Sequence, residues 1–292
     1  MKLVATTSLL RNTLGDIGAI RLLAEAGFDA IDISLTDFQA DSPWLKPNWR
    51  SYVQQLKDEA QRLGVTFCQA HAPFPTSKGT EADEIIFQHV VRSIEVAALL
   101  DIPYIVVHPK QHLPYRDNAG RLFQDTVDFY KALVPICQKL NVKVCCENMW
   151  QRNKQAGVII DSICARAEEF QAVVDAVDSP WVVACLDIGH CGLVHQDPAQ
   201  AIRVLGHDRL QALHVHDVDL REDRHTLPYT QYTDWESVVQ ALAEIDYTGN
   251  FTYEASNFIT SFPEPLWADA AKFMVTVGRY LISRIAYYKN LN

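Results

Sequence analysis

Apolar residues along this chain come in short unbroken runs rather than in alternation. The runs cover Lys2 to Ser8, Ala30 to Leu35, Val65 to Ala72, Tyr104 to Pro109, Val142 to Glu147, Val182 to Asp187, Leu210 to Asp217 and Asn250 to Ala255. Continuous Val, Ile, Ala and Cys runs of this length predict parallel strands covered on both faces. Helical periodicity and good helix formers predict helices over Leu14 to Ala26, Trp49 to Leu63, Asp83 to Leu100, Gln124 to Leu140, Ala165 to Val177, Trp235 to Ile245 and Ala268 to Tyr287. Strand and helix alternate, and the short connections imply right-handed parallel crossovers. Eight such units predict an α/β fold of the closed (β/α)8, or TIM-barrel, type, which takes roughly 250 residues. The chain has 292 residues, enough for extended loops but not for a second domain, so residues 1–292 are read as one domain. An open doubly wound sheet is the alternative. No G-x-G-x-x-G follows the first run, and that favours the barrel.

Composition sets bounds rather than chemistry. Hydrophobic residues at 48% and charged ones at 21% suit a soluble globular protein with a sizeable core. No apolar run approaches a membrane span, and Met1-Lys2-Leu3-Val4 leads straight into a strand without a signal-peptide pattern, so the expected compartment is cytoplasmic. Cysteines number seven, an odd count, and Cys68, Cys145, Cys146 and Cys185 lie inside strands, which predicts reduced core thiols. Cys185 and Cys191 flank the Asp187/His190 pair but lack C-x-x-C spacing and are read the same way. The net charge of −10 argues against non-specific nucleic-acid binding.

Chemistry concentrates at the ends of the runs. His71, His108, Glu147, Asp187, His190, His214 and Glu254 each fall at or just past the last residues of a run, and ligands so placed converge on one face of a barrel. Glu147 ends Val-Lys-Val-Cys-Cys-Glu and Glu254 ends Phe-Thr-Tyr-Glu. A carboxylate emerging from a buried strand carries a large desolvation cost unless a cation meets it. The two glutamates are expected to face each other from nearly opposite sides of the barrel. Asp187 by itself reads equally as a helix N-cap, which leaves His190, three residues on, unexplained. Of His214 and His216, only one is expected to reach the barrel interior. His71 and His108, in His-Ala-Pro and His-Pro-Lys, are ordinary singly and gain weight from their joint placement.

With these residues in place, the chain resembles the xylose isomerase-like TIM-barrel superfamily, which holds sugar isomerases and epimerases, dehydratase-like lyases and endonuclease IV. The resemblance covers essentially the whole length. It implies one divalent ion, Mn2+ first, with Mg2+, Co2+ or Zn2+ as alternatives, held by Glu147, Asp187, His214 and Glu254. It further implies a substrate contact at His190, in Leu-Asp-Ile-Gly-His, and a substrate-binding Arg to which Arg221 comes near, one position late. The implied activity is isomerisation or epimerisation of a sugar or sugar phosphate through a metal-stabilised enediolate, with Glu147 and Glu254 as acid and base. The implied partner is a small carbohydrate. His71 and His108 are set beside the substrate, Trp44, Phe74, Trp150 and Tyr229 are candidate pocket walls, and Lys110 with Arg221 is a candidate receiver of a phosphate or carboxylate.

Two rivals share the superfamily. An endonuclease IV-like phosphodiesterase uses three zinc ions, whose further ligands correspond to His71, His108, His190 and an Asp-x-His pair, here Asp223-Arg224-His225. Against it, Asn-Met-Trp-Gln-Arg-Asn after Glu147 and Thr-Leu-Pro-Tyr-Thr-Gln after His225 lack the expected glycines. A metal-dependent dehydratase or lyase on a polyol or keto acid would use the same first ligands. The apolar stripe Phe273, Val277, Tyr280, Leu281, Ile285 and Tyr287 of the last helix is assigned to packing on the barrel, with a homo-oligomer contact as its alternative.

Overall fold

In the computed structural model, which describes residues 1–291 apart from Ala40 and Lys154, the predicted runs become the staves of a barrel. In chain order these are β1 (Leu3–Thr6), β2 (Ala30–Ser34), β3 (Thr66–His71), β4 (Tyr104–Val107) and β5 (Lys143–Glu147), then β8 (Val182–Asp187), β9 (Leu210–His214) and β10 (Phe251–Tyr253). β6 (Trp150–Asn153) and β7 (Val158–Asp161) form a separate antiparallel hairpin after β5. Neighbouring barrel strands all pair in parallel, in the order β10-β1-β2-β3-β4-β5-β8-β9. A parallel bridge between Val215 and Tyr253 closes the ring; the Val215 amide donates to the Thr252 carbonyl at 2.8 Å and the Glu254 amide to the Val215 carbonyl at 3.2 Å.

The outer layer consists of α1 (Leu10–Ala26), α2 (Trp49–Arg62), α3 (Asp83–Leu99), α4 (Tyr115–Leu140), α5 (Ala167–Val177), α6 (Ile188–Leu193), α7 (Pro198–Arg209), α8 (Trp235–Glu244), α9 (Ser256–Thr260) and α10 (Trp267–Lys289). Each longer helix buries one stripe, as Trp49, Val53, Leu56 and Ala60 do on α2. Three of the helices were not predicted. α7 has Asp197 capping the Ala199 amide and Pro198 at its first position, but Gly206 at φ 68° breaks its last turn and blurs the periodicity. α6 and α9 are a turn or two long and carry no periodic signal. α1 and α4 start earlier than predicted, at Leu10 and Tyr115, because Gly15 and Asn118 leave helical geometry near their first turns. The hairpin shows no run because β6, Trp-Gln-Arg-Asn, is polar and β7, Val-Ile-Ile-Asp, is only four residues long; both strands are mostly half-buried.

Period-two alternation along each strand sorts residues between two cores. Outward positions such as Val144, Cys146, Ala184, Leu186 and Leu213 join the large core beneath the helices. Inward positions start small and apolar, with Val4, Ala30 and Cys68 in one cluster and Val106, Cys145, Val183, Cys185 and Ala212 in another. Two residues later along the same inward face come Asp32, Glu147, Asp187 and His214, all fully or almost fully buried. The barrel is therefore filled below and polar at its C-terminal mouth. All seven cysteines are buried and free, and burial pushes the Cys68 and Cys137 thiols up to about 12.

Candidate metal centre and active site

Glu147, Asp187 and His214 are the last residues of β5, β8 and β9, and Glu254 directly follows β10. Their ligand atoms lie within 4.8 Å of one another. His214 is the hub. Its Nδ1 stands 2.8 Å from Glu147 Oε1, 3.0 Å from Glu254 Oε2 and 3.9 Å from Asp187 Oδ2. β5 and β10 are three places apart in the ring of eight, so the two glutamates come from nearly opposite staves. Their carboxylates both reach one imidazole nitrogen.

Two further groups abut this one. In one, formed by His71, His108 and Glu147, Nε2 of His108 lies 3.1 Å from Nε2 of His71 and 3.0 Å from Glu147 Oε2. On the other flank, His190, His216, Asp223 and His225 converge: Asp223 Oδ2 is 3.0 Å from His225 Nε2 and 3.5 Å from His190 Nε2. His216 corrects an expectation. Residues two apart on a strand share a face, so His216 turns inward like His214, and its Nε2 meets Asp187 Oδ1 at 2.9 Å.

Do these residues fit a cation? Backbone carbonyls orient three of the imidazoles: Nδ1 of His71, His190 and His225 each donates, at 2.8 Å, to the carbonyl of Ala72, Asn148 and Glu254 respectively. That leaves each Nε2 as the nitrogen aimed at the cluster, which is the second-shell arrangement metal-binding histidines use. Asn148 holds Asp187 from both sides, accepting from its amide at 2.7 Å and donating to its carbonyl at 2.9 Å. Meanwhile Asp223 Oδ1, His214 Nε2, His216 Nδ1 and both oxygens of Asp32 are buried without a hydrogen-bond partner. Buried polar atoms are rarely left so, and a mixed carboxylate and imidazole set with unspent acceptors suits a divalent ion.

The electrostatics agree. Burial alone would raise the Glu147 carboxyl, but facing His214 and His108 outweigh it and hold it well below the ordinary carboxylate range. For Glu254, burial is likewise outweighed by His214 and His225, and its carboxyl is held low. His214, despite burial, is raised well above an ordinary imidazole by Glu254 and Glu147, and His225 is pushed up to about 10 by Glu254 and Asp223. Without a metal, protons on these histidines stand in for it.

The remaining candidates separate. A cavity of about 210 Å³ opens above the centre, lined by His71, Phe74, His225 and Glu254 and by the hydroxyl or amide groups of Thr6, Ser8, Ser34, Thr36, Ser256 and Asn257. Phe74 stacks on His108 at 4.7 Å, and Trp150 stands edge-on to His190 at 6.3 Å, so both rings flank the site. Trp44 is fully buried against Tyr52, and Tyr229 lies against Tyr280 on the outer surface; neither walls this cavity. Lys110 turns to Asp83 at 3.8 Å and over the Phe129 ring. Arg221 lines a separate surface groove with His195 and Tyr232. Asp32, missed in the sequence, lies beneath the centre, with Oδ2 3.9 Å from His214 Nε2. Its signal is a carboxylate inside the apolar run Ala-Ile-Asp-Ile-Ser.

Comparison with known proteins follows this geometry. The model of the family described as xylose isomerase-like TIM barrel matches residues 20–277. An uncharacterised protein of Sinorhizobium fredii is 25% identical over 67% of this chain and 54% of its own length, so the chain spans about half of that relative. A second uncharacterised protein, of Methanocaldococcus jannaschii, is 25% identical over 80% of this chain and 77% of its own, and a probable endonuclease 4 of Heliobacterium modesticaldum 27% over 54% and 59%. Among solved structures, a D-tagatose 3-epimerase-like protein superposes with a TM-score of 0.75 at 20% identity, covering 97% of this chain and 98% of that one. D-psicose 3-epimerase superposes at 0.74 with 18% identity, covering 96% and 99%. At such identity these likenesses show the shared fold.

Proposed function

The chain belongs to the xylose isomerase-like TIM barrel family, and from that premise we propose that it is a divalent-metal-dependent isomerase or epimerase of a free sugar. The observation that carries this reading is the approach of both Glu147 and Glu254 to His214 Nδ1, at 2.8 and 3.0 Å. Glu147, Asp187, His214 and Glu254 would hold the ion, which when bound supplies the positive charge that acidifies a C–H beside a carbonyl. Glu254, at the cavity wall, removes or returns the proton at the substrate carbon from one side. Glu147, buried deeper, does so from the other. Both carboxyls sit low and so are ionised at neutral pH, as bases require. His190, fixed by the Asn148 carbonyl, presents Nε2 to a substrate hydroxyl.

The cavity speaks to the substrate. Hydroxyl and amide groups at its rim match a polyol, and no Lys or Arg is among its described lining residues. Its volume of about 210 Å³ suits a monosaccharide. The test is proton exchange: metal-loaded protein incubated in deuterated water with a panel of free ketoses and their phosphates. Deuterium entering a carbon beside the carbonyl of a free ketose, and lost in Glu254→Gln, supports the reading. No exchange with any sugar overturns it.

A second reading rests on the two flanking groups, His71/His108/Glu147 and His190/His216/Asp223/His225. Adjacent metals stabilise the attacking and leaving oxygens of a phosphodiester together. About one ion per chain favours the sugar enzyme, whereas about three, with cleavage of abasic-site DNA, favours the phosphodiesterase. The net charge of −10 weighs against the second reading.

A further inference from the structure

Leu266, at the N-cap of α10, and Phe273, Tyr280 and Tyr287 within it recur every seven residues, and each is 48–54% exposed. Seven residues make about two turns, so the four lie on one line. This is not the core-facing line. Trp267, Ala270, Ala271, Met274, Gly278, Leu281 and Ile285 form that one, with Gly278 seated against Leu3 of β1. The structure thus divides the apolar residues of this helix between two faces.

Neighbours widen the outer stripe into a patch. Tyr229 lies 6.3 Å from the Tyr280 ring, Phe258 bridges Phe262 at 5.5 Å and Phe273 at 6.3 Å, and Leu291 continues the line at the C-terminal end. Half-exposed side chains of this size offer about 100 Å² each, so the patch presents about 700 Å². That exceeds what a monomer ordinarily leaves uncovered and is close to the roughly 800 Å² per partner of a standard interface. Between the large residues, exposed Thr276, Ser283 and Ala286 keep the helix profile low.

Charge selects the occupant. Every cation of α10 is neutralised within its own chain: Lys272 by Asp269 at 3.7 Å, Arg279 by Asp29 at 2.6 Å, Arg284 by Glu236 at 2.5 Å and Lys289 by Asp246 at 2.5 Å. A partner recognised by charge would find nothing to read. Two copies of a chain at −10 repel each other over most of their surface, and this neutral apolar face is where they can meet. We propose that the chain forms an isologous homodimer through α10, packed antiparallel on its counterpart across a two-fold axis. The antiparallel arrangement sets opposite helix dipole ends together, and the seven-residue spacing lets the side chains interlock.

The experiment is sedimentation velocity on the full chain. The wild type should run at twice the chain mass. Phe273→Glu and Tyr280→Glu, both at exposed positions, should each weaken association at least about 100-fold and give the single-chain mass, while circular dichroism and metal uptake stay unchanged. A third variant, Tyr287→Glu, samples the same line independently. A wild type that remains at single-chain mass up to about 100 μM overturns the proposal. So does a dimer that persists in all three variants.

Discussion

Replacing Asp32 by Asn is expected to make the metal-free protein more stable at neutral pH and worse at holding its ion. Asp32 is almost completely buried on β2, and neither carboxylate oxygen has a hydrogen-bond partner. Burial raises its carboxyl from the ordinary 3.8 to about 6, against the pull of His214 and His71 and with the push of Glu254 and Glu147. Between those two values the native state keeps the proton and the unfolded chain has lost it. Stability therefore falls as pH rises through this window and stays reduced above about 6. A shift of this size corresponds to about 3 kcal/mol. Asn has the shape of the protonated acid and cannot ionise, so it removes the penalty. In a chain of this size that is worth about 6 °C in Tm.

The assay is calorimetric or denaturant unfolding of chelator-treated wild type and variant across the acid to neutral range. The difference should be near zero below the lower value and grow to its full size above the upper one. The same carboxylate faces His214 Nε2, the side of the ring turned away from the metal ligands. Losing it should cost about 10- to 100-fold in metal affinity, the usual effect of removing an outer-shell partner. A stability difference that does not change with pH, or a variant less stable at neutral pH, would refute the reasoning: Asp32 would then be a charge already compensated by His214.

Several smaller expectations depend on the same geometry. Glu147→Gln and Glu254→Gln should each lower solvent-proton exchange into substrate by about 10²- to 10⁴-fold with an unchanged circular dichroism spectrum; substantial exchange in either ends the two-carboxylate mechanism. Adding Mn2+ to chelated protein at a hundred times its Kd should stabilise it by about 2.7 kcal/mol, seen as a rise in Tm that Asp187→Asn reduces. No rise with any divalent ion would count against the centre. A β-carbon at Gly189 would overlap the His216 ring that meets Asp187. Gly189→Ala should therefore cost about 1–3 kcal/mol and loosen the metal, and a wild-type Tm with full metal content would contradict this.

The barrel was legible because each parallel strand is covered on both faces and so reads as a solid apolar run ending in a turn. The same logic located Glu147, Asp187, His214 and Glu254, since a strand's last inward residue opens onto the mouth. What the runs could not show is grouping. Asp223 and His225 join His190 only because the chain after β9 folds back, with Asp217 accepting from the Gln231 and Thr233 amides and the Trp235 indole. No periodicity encodes that return. Asp32 and His216 are different, since both were within reach of the strand rule itself. Applied strictly, period two puts Asp32 on the face of Ala30, and His216 on that of Ala212 and His214. An ionisable residue in an inward register then costs too much to be packing alone. Counting inward-facing titratable residues, rather than those at run ends, would have added Asp32 and His216 to the centre from the sequence.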